Sequence, residues 1–228
     1  MMVRVEFAKL KPVRYISHLE LMDTIRRAVR RAALPGKYTQ GYNPHLVLSL
    51  GQPLAVGMVG KGEFFDLELS EKIAPEEIKK RFNNNLPPSI RIKEVRYVPS
   101  DIKSLQAIVN TAIYSIDFDY IEGEVENEVV CNELLAAEKI EIIRRRRNKE
   151  DRVLDLRPMI YNIQVAENSS IWKFTVNTGS SGNVRPSELI RALAERYDNI
   201  EEVPLVNVVR EGMYVRKDGD LLKPFAKR

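Results

Sequence analysis

Hydrophobic residues recur with two different periods along this chain. Val3, Val5 and Phe7 alternate with Arg4 and Glu6, the period of two that a strand with one buried face requires. From residue 18 the period becomes helical. On a wheel of about 100° per residue, Leu21, Met22, Ile25, Ala28, Val29, Ala32 and Ala33 share one side. Glu20, Asp23, Arg26, Arg27, Arg30 and Arg31 share the other, so one side packs and one is wet. Ser17 and Glu20 form a capping box that starts the helix at His18, and Leu34-Pro35-Gly36 ends it, since proline cannot continue the ladder.

GYNPH at 41–45 then opens a second strand with Leu46, Leu48 and Leu50 on one face and His45 on the opposite one. Residues 51–62 carry four glycines but no Gly-Lys-Ser/Thr ending, which predicts a long hairpin connection rather than a phosphate loop. EFFDLELS is a third strand, residues 75–83 a helix with proline in its first turn, and IRIKEVRYV a fourth strand. This order predicts a ferredoxin-like βαββαβ domain over residues 1–99, its antiparallel sheet packed on two helices.

Residues 99–104 read as a linker. The alternation then partly repeats: AIYSIDFDY as strand, ENEVVCNELLAA as helix, KIEIIRRRR as strand, a hairpin of MIYNIQVAE and IWKFTVNTG, the helix RPSELIRALAERY and the strand VNVVREGMYV. With one strand more than the first half, residues 105–216 are expected to form a second, decorated ferredoxin-like domain. Residues 217–228 are expected to be a loose basic tail. The fold class is therefore α+β, two such domains in tandem.

Composition narrows the chemistry. The chain has 228 residues, 44% of them hydrophobic, and 36 lysines and arginines against 32 aspartates and glutamates. Cys131 is the only cysteine, which rules out a disulfide framework, a cysteine zinc site and a chain-held iron–sulfur cluster. Two histidines and scattered carboxylates have no recognisable metal-ligand spacing, so neither metal nor cofactor is expected. No apolar run reaches the roughly 20 residues of a membrane span, and the N-terminus lacks a signal-peptide core, so a cytoplasmic location and no membrane partner are expected.

The arginines are clustered at 26, 27, 30 and 31 and again at 144–147, and clustered charge holds phosphate better than dispersed charge. A solvated structural face is the bland reading of each cluster. His18 falls at a helix N-terminus, where free N–H groups attract anions, although a half-buried histidine bonded to backbone is the ordinary outcome there. The expected phosphate or RNA contacts are Arg14, Ser17, Arg27, Arg30, Arg31, Tyr42, Asn43, Arg144, Arg145, Arg146, Arg157 and Arg185, with Tyr15, Tyr38 and Tyr42 available to stack on unpaired bases. Asp155-Leu156-Arg157-Pro158 reads alternatively as a structural turn, and Arg185-Pro186 as a helix N-terminus.

LKPVRYISHLELM, RRAVRRAALPGKYTQGYNPH, GEFFDLEL, DLRP at 155–158 and VRPSEL at 184–189 resemble the uncharacterised radical SAM-linked protein family. Its members occur as separate chains or as a domain at the end of radical SAM enzymes. The chain departs from the family pattern at residues 45–50, where His-Pro-Lys-Ile-Ser-Phe is replaced by His-Leu-Val-Leu-Ser-Leu, so that Val47 stands where a lysine is expected. The resemblance implies a partner of radical SAM chemistry, associated with RNA modification, rather than its catalyst. The tandem architecture is also similar to that of CRISPR-type repeat-cleaving endoribonucleases, which use histidine as general acid or base for attack of a 2′-hydroxyl on the adjacent phosphate. Three readings follow: an RNA-binding accessory protein, taking structured RNA or single-stranded loops; a metal-independent endoribonuclease with His18 and His45 as catalytic groups; and a subunit that docks a radical SAM enzyme without touching RNA.

Overall fold

The N-terminal alternation becomes strand β1 (Met2–Lys9) in a computed structural model that describes residues 1–118, 127–145, 150–165, 170–180, 182–198 and 200–225. The chain divides into two units, Met1–Val109 with Gly212–Arg228, and Asn110–Glu211. Both mix helices with antiparallel strands, an α+β architecture.

The first unit contains β1, α1 (His18–Arg31), β2 (Leu48–Leu50), β3 (Val59–Glu68), α2 (Pro75–Asn85), β4 (Ile90–Val98) and the single turn α3 (Leu105–Ile108). β1 lies between β4 and β3, and β2 pairs with β3, all antiparallel. Val3, Val5 and Phe7 of β1 and Phe65 and Leu67 of β3 pack against Leu21, Ile25, Ala28 and Val29 of α1 and Ile78 and Phe82 of α2. Phe65 sits at the centre of this core, its ring 5.7 Å from that of Phe7 and edge-on to Phe82 at 5.8 Å. The helix wheel read from the sequence thus faces the sheet, and burying each such ring contributes roughly 1.5–3 kcal/mol.

The second unit contains β5 (Thr111–Asp117), α4 (Asn127–Ala136), β6 (Glu141–Arg144), β7 (Arg152–Asp155), β8 (Ile160–Val165), β9 (Ile171–Asn177) and α5 (Pro186–Ala194). β9 pairs antiparallel with β5 and β8, while β6 and β7 form a separate hairpin. Trp172 is fully buried between Phe118, edge-on at 5.6 Å, and Phe174, stacked at 6.2 Å. Strand β10 (Val208–Lys217) begins in this unit, where it neighbours β5, and ends in the first, where β11 (Asp220–Leu222) pairs with it.

The structure departs from the expected elements in four ways. β2 is three residues long, because residues 36–38 and 46–47 make their bonds to one another and to Glu68: Val47 N–H donates to the Lys37 carbonyl at 2.9 Å, and Lys37 N–H to that of Glu68 at 2.8 Å. β7 was not anticipated. Residues 99–104 are not a free linker, since the Lys103 carbonyl accepts from Arg4 at 3.2 Å and Leu105 just beyond is buried. The expected loose tail is instead an ordered segment over residues 217–225, and residues 226–228 lie outside the described residues. Asp218 (φ 51°) and Gly219 (φ 93°) make the tight turn from β10 into β11, the Asp-Gly pair supplying two left-handed residues in succession.

That C-terminal segment explains why β1 buries both faces. Arg4 is 0% exposed, bound through Nε and Nη2 to the Asp66 carboxylate at 2.7 and 2.8 Å, and its Nη1 donates to the Pro224 carbonyl. Lys223 bridges Glu6 at 2.6 Å and Glu94 at 3.4 Å, and the Phe225 ring lies edge-on to Phe64 at 5.5 Å. Alternation alone assigns Arg4 and Glu6 to solvent. Among the described residues, no helix is long and apolar enough to cross a membrane.

Candidate nucleic-acid interface

The N-terminus of α1 is built as the sequence indicates. Ser17 Oγ accepts from Glu20 N–H at 3.3 Å, and Ser17 N–H donates to the Glu20 carboxylate at 2.7 Å. Those two bonds, the backbone one foremost, hold the Glu20 carboxyl below the usual carboxylate range. Ser17, expected as a phosphate contact, is committed to the cap.

His18 lies in a small polar corner rather than a ligand site. Together with Lys9, Glu63, Leu21 and Leu50 it lines a cavity of about 10 Å³, room for a single water. Lys9 is 1% exposed and donates through Nζ to the carbonyls of Arg14 at 3.0 Å and Ile16 at 2.9 Å, which fixes the path of the chain into α1. The Arg14 guanidinium stacks 5.1 Å above the Tyr15 ring.

The electropositive site is further along the helix. Gly36 packs so tightly on α1 that a Cβ there would lie 2.4 Å from Leu46 Cδ1 and 3.1 Å from Val29 Cγ1, and this close approach carries residues 36–48 alongside the arginine face. A loop follows, closed by two bonds: His45 N–H donates to Thr39 Oγ1 at 2.9 Å, and Thr39 N–H to the His45 carbonyl at 2.8 Å. Tyr42 at its tip is 100% exposed, beside exposed Asn43. Between helix and loop lies a cleft of about 360 Å³ lined by Asp23, Arg26, Arg27, Arg30, Tyr38, Pro44, His45 and Leu46.

The charges in this cleft are unevenly engaged. Asp23 is taken by Arg26 at 3.0 Å. Arg31 donates to the Asn85 carbonyl at 2.8 Å, on the side of α2. Arg27 and Arg30 are exposed, and among the described residues neither has an acidic partner. Arginines held on a helix without a carboxylate are set to take an external anion, and a partly apolar, aromatic wall is what a nucleotide needs beside its phosphate.

The structure therefore gathers Arg27, Arg30 and His45 into one site. His18 and His45 line different cavities, so the arrangement does not bring the two imidazoles to a shared reacting group. Arg26 and Tyr38 also line the cleft. The helix wheel put the first on the wet face, and the second was among the tyrosines expected to stack on bases.

The arginines of the second unit are mostly spent internally. Arg144 makes a two-pronged contact with Glu188, both bonds 2.6 Å, and donates to the Asn183 carbonyl at 2.7 Å. Arg157 donates to the Leu135 carbonyl at 3.0 Å and to that of Ile160 at 2.9 Å, satisfying the end of α4. The DLRP run is a structural turn, with Asp155 Oδ1 accepting from the N–H groups of Ile140 and Arg157, both at 2.9 Å. Arg185 precedes α5, where its own N–H donates to Glu188 at 3.1 Å. Arg145 is exposed, and Arg146 lies outside the described residues.

Among the described residues, no group of three or more histidine, cysteine, aspartate or glutamate side chains is arranged to hold a metal ion. Cys131 is buried. No curated protein matches the chain. A family model does, over residues 2–186, a span that includes α1, the 36–48 segment and the whole cleft and stops at the first residue of α5. The chain belongs to that family, described as an uncharacterized protein conserved in bacteria (DUF2344).

Proposed function

We propose that the chain is an RNA-binding accessory protein of the cytoplasm, working beside a radical SAM enzyme in RNA modification or processing, and that RNA is held in the cleft between α1 and residues 36–48. The observation that carries this reading is the pair Arg27 and Arg30, exposed and without acidic partners among the described residues, in a cleft that also presents Tyr38 and His45. Guanidinium groups take phosphate oxygens in pairs, and tyrosine faces accept bases without regard to sequence. The motif resemblance supports the radical SAM partner. One buried cysteine cannot supply a three-cysteine cluster, so the radical chemistry belongs to that partner. We read each unit as ferredoxin-like, supported by the strand orders β4-β1-β3-β2 and β10-β5-β9-β8, with the β6–β7 hairpin as the decoration of the second.

The test is the salt dependence of binding to a labelled single-stranded RNA. Each phosphate contact adds about 0.7 to the slope of log affinity against log salt for a single strand, so Arg27→Ala/Arg30→Ala should flatten the slope by about 1.4. Affinity that is insensitive to salt in the wild type, or a slope unchanged in the double variant, overturns the RNA reading. Co-purification of a radical SAM enzyme with a protein that ignores RNA would replace it with a docking role.

A further inference from the structure

Strand β2 has an open side. Glu68 N–H donates to the Val47 carbonyl at 3.0 Å and Gly51 N–H to that of Phe64 at 2.9 Å, and Ser49 lies opposite Asp66. Residues 47, 49 and 51 therefore make the bonds to β3. By the alternation of an antiparallel ladder, the N–H and C=O groups of Leu48 and Leu50 point away from it. Among the described residues, no strand pairs with β2 on that side.

A hollow of about 470 Å³ runs along this margin. Leu46 and Leu48 point to the core beneath α1, and Arg26 comes from α1 itself. Ser49 and Asp66 stand on the opposite face of the sheet, with Arg4. All five line the hollow, with Arg4 behind Asp66. A space bounded by residues from both faces of a sheet lies off its edge, where an added strand would run.

Unpaired strand groups are completed by the backbone of another extended chain, whose side chains alternate between the two faces. On the α1 face they meet arginines. The hollow shares Arg26, His45 and Leu46 with the neighbouring cleft, and since Asp23 answers Arg26, the open charge there belongs to the exposed Arg27 and Arg30. On the other face they meet Met2 and Val47, while Asp66 has its charge answered by Arg4. The first face calls for carboxylates and the second for apolar groups. We infer that the β2 margin binds an extended segment of a partner protein in which acidic and apolar residues alternate, its backbone pairing with Leu48 and Leu50. Its acidic side chains compete with RNA for Arg27 and Arg30, but a nucleic acid cannot make the strand pairing, so the site stands or falls apart from the RNA reading.

Random peptides displayed on phage are selected on the full chain without RNA, and those recovered are synthesised and measured by fluorescence anisotropy. N-methylation of one peptide amide removes a donor and crowds that edge. At alternate amides, those facing β2, it should weaken binding about ten-fold, and at the intervening amides it should not. Leu48→Pro deletes the outward N–H and no bond to β3, and should weaken binding likewise; Leu48→Ala gives up the same packing, keeps the N–H and should still bind. Arg27→Ala/Arg30→Ala should also weaken it. Recovery of no peptide, of basic peptides, or of peptides indifferent to N-methylation or to the double variant overturns the inference. The methyl scan leaves the protein intact, so it decides even where Leu48→Pro fails to fold.

Discussion

Replacing Arg4 by alanine tests the account of how the first unit is closed. Arg4 is fully buried and makes four bonds: two to the Asp66 carboxylate, one to the Pro224 carbonyl and one to the Lys103 carbonyl. Truncation leaves a nearly buried carboxylate without its counter-charge and two carbonyls without donors. Breaking one side of a buried pair costs about 3–5 kcal/mol. Asp66 is 7% exposed, which favours the lower end, about 3 kcal/mol. For a chain of this length each kcal/mol lowers the melting temperature by about 2–4 °C, so Arg4→Ala should melt roughly 6–12 °C below wild type. Circular dichroism melts and urea midpoints read this directly. The companion variant Arg4→Met/Asp66→Leu removes both charges and keeps the volume, and apolar replacement of a whole buried pair is often neutral. It should recover most of the loss. A shift under 2 °C for the single variant, or a double variant no better than the single, refutes the claim that an uncompensated carboxylate dominates.

Two further outcomes are expected. Gly36→Ala places a methyl 2.4 Å from Leu46 Cδ1, and since Leu46 is itself buried the overpacking should lower stability by about 1–3 kcal/mol in urea unfolding; an unchanged midpoint would mean that residues 36–48 pack loosely on α1. Lys223 has its pKa raised by its bond to Glu6, against an opposing effect of burial. Its folded value exceeds its unfolded one, so its contribution is complete below the ordinary lysine range of about 10.4 and fades as pH rises through the elevated folded value. The segment 218–225 should become more sensitive to proteolysis at the alkaline end. Lys223→Met should remove that added sensitivity, and persistence of the pH effect in the variant would assign it to other groups.

How much of this was legible in the sequence follows from how far apart the interacting groups lie. The start of α1 was readable because its cause is local, Ser17 and Glu20 being three residues apart; its end comes earlier than the Leu34-Pro35-Gly36 stop, since the helix closes at Arg31 and the exposed Ala33 turns left-handed (φ 47°). Arg30 could likewise be read as uncommitted, since no acid stands three or four residues from it on the helix. Arg27 could not. Asp23 lies four residues before it, in a position to pair, and only the structure shows that Arg26 takes that carboxylate instead. The same rule accounts for the misreadings. Arg4 and Glu6 belong to a polar face by alternation, and what buries them is a segment some 220 residues away in sequence. Arg144 looks like free charge in a basic run and Arg157 like a further cation beside it, yet Glu188 and the Leu135 carbonyl, 44 and 22 residues distant, consume them. The Asp218-Gly219 turn carried a local signal that the charged composition around it masked. An arginine's availability for RNA is therefore decided by where the chain's acids and carbonyls come to rest. Counting cationic residues overstates the charge this chain leaves open to an external anion, and the helix-borne pair at 27 and 30, exposed and without acidic partners among the described residues, carries the proposal.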